Sequence, residues 1–159
     1  MGILWSNLLG IIFLLISFLF ILFASNKFLK IKKILLIAFI IRALLVIIEH
    51  FGLARLPDGN SMGSDAYSFV KWAKTFSDQK GLSVLADFYL QDSKLISRII
   101  SIFYTFFGES VMMARIISVL LGTSSVYLIY SLCLRIWNKR SAEKAAWLTA
   151  LYQSLVLYS

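Results

Sequence analysis

Proton-transfer chemistry has few places to occur in this chain. Eight carboxylates and a single histidine stand among 159 residues, with one cysteine. That count excludes a disulfide framework and a cysteine or histidine metal cluster. Among the acids, Asp65 has the setting best suited to catalysis. It follows Gly63 and Ser64 and opens a stretch of helical period. As a general base it would accept the proton of a hydroxyl nucleophile; as a purely structural residue it would complement the helix dipole by about 0.3–1 kcal/mol. His50, beside Glu49, reads as a proton relay or as a ring hydrogen-bonded at an interface. Arg115 carries a guanidinium fork that could meet an oxyanion, or would snorkel to an interface. Asp58, Asp87 and Asp92 share a segment with Asp65 but show no fixed ligand spacing, so no metal is expected.

The elements that must position these residues are set by composition. Apolar residues make up 60% of the chain and charged residues only 15%, well below the usual quarter, and the mean hydropathy is +0.84. Disorder and an ordinary water-soluble domain are both poor readings of such a chain. From Ile3 to Ala24 there is no charge, and a helix of roughly 22 residues at about 1.5 Å each is long enough to span a bilayer core. No Lys or Arg precedes Lys27, which argues against a cleaved signal peptide. A second apolar run covers Ile34 to Ala54, interrupted by Arg42, Glu49 and His50, and a third covers Val111 to Leu134 with only Arg115. A fourth begins near Ala145 and is still apolar at Ser159, about 15 residues in and short of the usual span of about 20, so the sequence is expected to stop inside a helix.

Lysine and arginine placement sets the expected orientation. Lys27, Lys30, Lys32 and Lys33 lie between the first two runs, and Arg135, Lys139, Arg140 and Lys144 follow the third against Glu143. Both loops are expected to be cytoplasmic. The segment 55–110 balances Arg55, Lys71, Lys74, Lys80, Lys94 and Arg98 with Asp58, Asp65, Asp78, Asp87, Asp92 and Glu109, and is expected to be external, with the N-terminus on the same side. Leu95 to Phe107 is apolar but too short to span, and crossing there would put the later basic cluster outside. It is therefore expected on the outer surface. The net charge of +8 is accounted for by loops facing anionic headgroups, and no nucleic-acid partner is expected.

Inside that segment, Phe69, Val70, Ala73 and Phe76 share one helical face while Lys71, Lys74 and Asp78 point elsewhere. This predicts an amphipathic helix over 65–76 with Tyr67 and Trp72 at headgroup level, and a second surface helix over 95–107. In the second run, Arg42 lies deep enough to require protein or a wet cavity around it. Glu49 shares its face but stands about 10 Å away along the axis, too far to pair with it. The resulting expectation is an all-α, polytopic membrane protein. It has about four transmembrane helices (3–24, 34–54, 111–134 and 145–159) and two amphipathic surface helices in its first large external loop.

Three stretches, GSDAYSFVKWA (63–73), FYTFFGESVMMARIISVLLG (103–122) and YLIYSLCLRIWNKR (127–140), follow one another in an order that resembles the N-terminal part of the GT-C membrane glycosyltransferases. These are the superfamily of protein O-mannosyltransferases and bacterial aminoarabinose transferases. The resemblance covers Ile34 to Ser159. It implies an enzyme of the cytoplasmic membrane that moves a sugar from a polyprenyl-phosphate carrier to a lipid, glycan or protein acceptor outside. It places Asp65 at the catalytic position and 65–76 and 95–107 at the family's two surface helices. Arg115, Tyr67 and His50 are then the candidate substrate-binding residues; no cofactor is implied. The chain departs from the family pattern in having Pro57 as its one proline, Ala66 rather than an acid after Asp65, and far fewer helices.

Two other readings stand beside this one. The first is a small non-catalytic membrane protein, a remnant of such an enzyme or a subunit that packs against a partner. The second is a carrier-lipid flippase, against which Glu49 counts as the only acid within the four apolar runs.

Overall fold

The computed structural model describes residues 3–27, 30–51, 64–80 and 95–156, and among these the chain is all-helical. Six helices follow in order: α1 (Ile3–Lys27), α2 (Lys32–His50), α3 (Ser64–Lys80), α4 (Leu95–Phe107), α5 (Val111–Ile136) and α6 (Lys139–Val156). Two of them contain stretches long and apolar enough to cross a membrane, Trp5–Asn26 of α1 and Val111–Ile136 of α5.

Helices α1, α2, α5 and α6 pack as a bundle in which α5 touches the other three. Its core falls into three layers. At one end Ile31, just before α2, and Ile34, Leu35 and Ala38 of α2 meet Val126, Tyr130 and Cys133 of α5 and Ala142, Ala146 and Ala150 of α6. The three alanines recur every four residues, so they form one face, and their small side chains let α6 lie close against its neighbours. In the middle, Ile21 of α1, Phe39, Ala43 and Val46 of α2 and Val119 of α5 close together. At the other end, α3 and α4 form a hairpin that docks on the start of α5. Ala73, Ile100 and Tyr104 bury against Met113, Ala114 and Ile117, with Phe13 of α1 edge-on to Phe103 at 5.5 Å.

The ends of the bundle are tied by local polar chemistry. Gly108 follows α4 with a φ of 88°, a left-handed conformation glycine adopts freely, and its N–H donates to the Tyr104 carbonyl. Two residues later Ser110 caps α5: its hydroxyl oxygen accepts from the Met113 N–H at 3.2 Å and its O–H donates to the Ser6 carbonyl of α1 at 2.8 Å. The Tyr104 hydroxyl donates to the Ser110 carbonyl at 3.2 Å. One serine therefore fixes α1, α4 and α5 relative to each other. Close by, a Cβ on Gly10 would lie 2.6 Å from Cβ of Met112, so α1 reaches α5 at this depth only because residue 10 has no side chain.

Helix boundaries differ from the sequence reading at several ends. The fourth apolar run, expected from 145, belongs to a helix that starts at Lys139, because the Asn138 side chain accepts from the Ser141 N–H at 3.0 Å and nucleates the helix six residues earlier. Helix α3 runs to Lys80 rather than 76, and α2 and α5 each extend into flanking polar residues. In α5, Ser118, Thr123 and Ser124 donate to carbonyls four residues back and Ser125 to one three back, so these hydroxyls are satisfied inside their own helix. That arrangement needs no water.

Candidate functional site

At the end of the bundle that carries α3 and α4, polar side chains of α1, α2 and α5 come together. Glu49 lies in the last turn of α2 and Arg115 early in α5, and because the two helices run antiparallel their side chains arrive at the same depth. Arg115 Nη2 lies 3.4 Å from a Glu49 carboxylate oxygen. His50, the next residue of α2, turns to α1 instead: its Nε2 is 3.0 Å from Asn7 Oδ1, and its ring stands edge-on to Phe51. Three helices are thus bound at one level by Asn7, Glu49, His50 and Arg115, with Ser6 and Ser110 beside them.

The ion pair is unevenly satisfied. The Arg115 side chain is 10% exposed and that of Glu49 22%, so the pair is open on the Glu49 side. Arg115 Nε and Nη1 are buried and have no hydrogen-bond partner among the described residues. A guanidinium presents five N–H donors, and a buried donor left without a partner costs about 1–3 kcal/mol or more. The helix dipole disfavours an acid near a C-terminus and a base near an N-terminus by about 0.3–1 kcal/mol each, within the terminal turn. Glu49 sits in that turn; Arg115 sits just beyond it. With a long contact, two guanidinium nitrogens without partners and one adverse dipole, at Glu49, the pair is only partly satisfied.

Arg42 is placed differently. It is 1% exposed in the middle of α2, donating from Nη1 to the Ala38 carbonyl and from Nη2 to the Thr149 carbonyl of α6, each at 3.2 Å. It faces protein, as a charge at that depth requires. Its role is to fasten α6 to α2.

On the hairpin, Lys74 of α3 pairs with Glu109 at 2.7 Å, and the carboxylate holds the ammonium above its ordinary pKa. Ser77 and Thr105 share a hydrogen bond at 3.3 Å, and the Arg98 guanidinium lies 6.0 Å over the Phe76 ring. Burial, with Glu109 nearby, pushes the Tyr104 phenol upward, so it stays protonated as the donor to Ser110.

Of the residues singled out from sequence, Arg115 and His50 are brought to one end of the bundle. Asp65 and Tyr67 fall in the first turn of α3, and their side chains lie outside the described residues. Asp58, Asp87 and Asp92 lie outside them as well. Among the described residues there is no cluster of three or more His, Cys, Asp or Glu that could hold a metal. The sequence reading missed that Glu49 pairs with Arg115; it tested Glu49 only against Arg42. The usable signal was depth, since both are lone charges of opposite sign near the same end of neighbouring antiparallel runs. Asn7 and Ser110 carried no such signal. No family model, no curated protein and no solved structure matches this chain.

Proposed function

We propose that this chain is the N-terminal part of an inverting GT-C type glycosyltransferase, a multi-pass protein of the cytoplasmic membrane. It takes a sugar from a polyprenyl-phosphate carrier and passes it to an acceptor on the external face. The observation that carries the reading is the helical hairpin between α2 and α5, which opens with Asp65 in its first turn and docks at the end of the bundle where Arg115 is buried. In this reading α1, α2, α5 and α6 all span the membrane, the lysine-rich ends at 30–33 and 135–144 face the cytoplasm, and the hairpin lies in the outer headgroup layer. Lys71 and Lys74 with the exposed Trp72, Phe106 and Phe107 give it the mixed surface that layer accepts.

Asp65 deprotonates the acceptor hydroxyl as its oxygen attacks the anomeric carbon. The bond to the lipid phosphate breaks, and the phosphate leaves as an anion beside Arg115, whose charge stabilises it. Tyr67 and His50 are assigned to substrate binding by the family resemblance, and His50 stands at the same end of the bundle as Arg115. The test is sugar transfer from a radiolabelled glycosyl polyprenyl phosphate in membranes that hold the correctly inserted chain. Asp65→Asn is expected to lower turnover by about 10²–10⁴-fold, the range for loss of a general base. Full turnover in that variant sinks the assignment.

A second reading is favoured by the Glu49–Arg115 pair itself: a non-catalytic membrane subunit in which the arginine only ties α5 to α2. Its sign is a chain that co-purifies with a partner subunit and gains no activity from Asp65.

A further inference from the structure

We propose that Glu49 is an internal placeholder on Arg115, occupying the receptor for a lipid-borne phosphate until that phosphate displaces it. The inference rests on the reading of Arg115 as the residue that meets the carrier phosphate, and adds how its access is controlled. Three observations point the same way. Arg115 is nine-tenths buried, yet two of its three nitrogens have no partner among the described residues. The carboxylate it does hold touches a single nitrogen at 3.4 Å, far from the two-pronged contact a guanidinium makes with a well-seated oxyanion. Glu49 is the more exposed member, so an incoming anion reaches it first.

Electrostatics favours the exchange. Glu49 contributes its charge from the last turn of α2, where the dipole opposes it, and an anion arriving from outside carries no such cost. The non-bridging oxygens of a phosphate can engage the guanidinium in a two-pronged contact, where the carboxylate has one oxygen on one nitrogen. Once displaced, Glu49 has a short way to water, being in the last turn of its helix. His50 stays bonded to Asn7, so the helices keep their places while the ion pair opens. Between turnovers the carboxylate keeps the arginine from being stranded as a bare buried charge, which a purely apolar pocket would not do.

The test uses the full chain in nanodiscs of phosphatidylcholine, with undecaprenyl phosphate as the probe and phosphatidic acid and inorganic phosphate as comparison ligands. Glu49→Gln is expected to tighten undecaprenyl phosphate binding about tenfold, within the range of ordinary coupling between sites. Glu49→Asp, which keeps the charge, is expected to bind like the wild type, and Arg115→Gln to lose binding. In the wild-type chain, solid-state NMR is expected to show a dipolar contact between Arg115 Cζ and the ligand phosphorus, a reading that needs no variant to fold. Unchanged or weaker binding in Glu49→Gln, with binding still lost in Arg115→Gln, overturns the placeholder and leaves Arg115 as a phosphate residue. Absence of the Cζ–phosphorus contact at saturating ligand overturns both. An equal response to phosphatidic acid supports the placeholder but identifies the ligand as a membrane headgroup, and response to inorganic phosphate alone overturns the lipid assignment.

Discussion

Ser110 is the residue on which most local order depends. Its hydroxyl both caps α5 and donates to α1, so Ser110→Ala removes a cap worth typically about 1 kcal/mol and leaves the Ser6 carbonyl without that donor. A fall of about 1–2 kcal/mol is expected, read as a lower thermal midpoint in detergent, while Ser110→Thr keeps most of the loss from appearing. Gly10 gives the opposite kind of prediction, because Gly10→Ala adds an atom where Met112 already stands. Overpacking there is expected to cost about 1–3 kcal/mol, and the double variant Gly10→Ala with Met112→Ala to recover part of it. At the ion pair, Glu49→Gln strands Arg115, and in the absence of ligand a loss of about 3 kcal/mol is expected, at the low end for buried pairs since Glu49 is partly exposed. These roles were legible to different degrees. A charge in an apolar run announces itself, but a cap such as Ser110 is one of many serines in this chain and is identified only by what its oxygen reaches.

At the scale of elements, the α3–α4 hairpin and α6 show how short segments find their places. Helix α6 is held by Ala142, Ala146 and Ala150, so Ala146→Leu is expected to push it off α2 and α5 and to weaken the Arg42 bond to the Thr149 carbonyl. Faster proteolysis or hydrogen exchange across α6, with α1 unchanged, would report this. The hairpin is fastened through Ala73 and Tyr104 beneath and through Lys74 and Glu109 at its rim. Because Glu109 raises the pKa of Lys74 above the unfolded value, any stability from that pair is fully present at neutral pH. It is lost only as the pH climbs through the raised value, above the ordinary 10.5 of lysine. Exchange protection of α3 is therefore expected to be level between pH 6 and 9, and in Glu109→Gln the Lys74 ammonium is expected to titrate nearer its ordinary range, as followed by NMR of the side chain. The bounds of α4 were readable from the sequence, since 95–107 is a closed apolar segment between polar ones. The start of α6 was not, because Lys139, Arg140 and Lys144 look like loop until Asn138 is seen to cap them.

Across the whole molecule, charge is sorted by end. The described lysines and arginines at 30–33 and 135–144 lie at one end of the bundle, and the hairpin with Glu49, His50 and Arg115 at the other. If all four bundle helices span the membrane as proposed, a cysteine placed at the exposed Asp78 is expected to react with an impermeant maleimide on intact cells. One at Lys139 is expected to react only after permeabilisation, and the reverse pattern would invert the orientation. The sequence by itself determined that the chain is helical, where its long apolar stretches lie, and how basic residues are distributed about them. Those properties are set within windows of some 20 residues by the cost of exposing apolar surface and of burying charge, so no knowledge of neighbours is needed. Only the tertiary structure decided which lone charges meet. Whether Glu49 faces Arg42 or Arg115, and whether His50 faces a loop or Asn7, depends on the rotation and depth of helices far apart in the chain. These are fixed by close contacts such as Gly10 on Met112 and the alanine face of α6, which hydropathy does not encode.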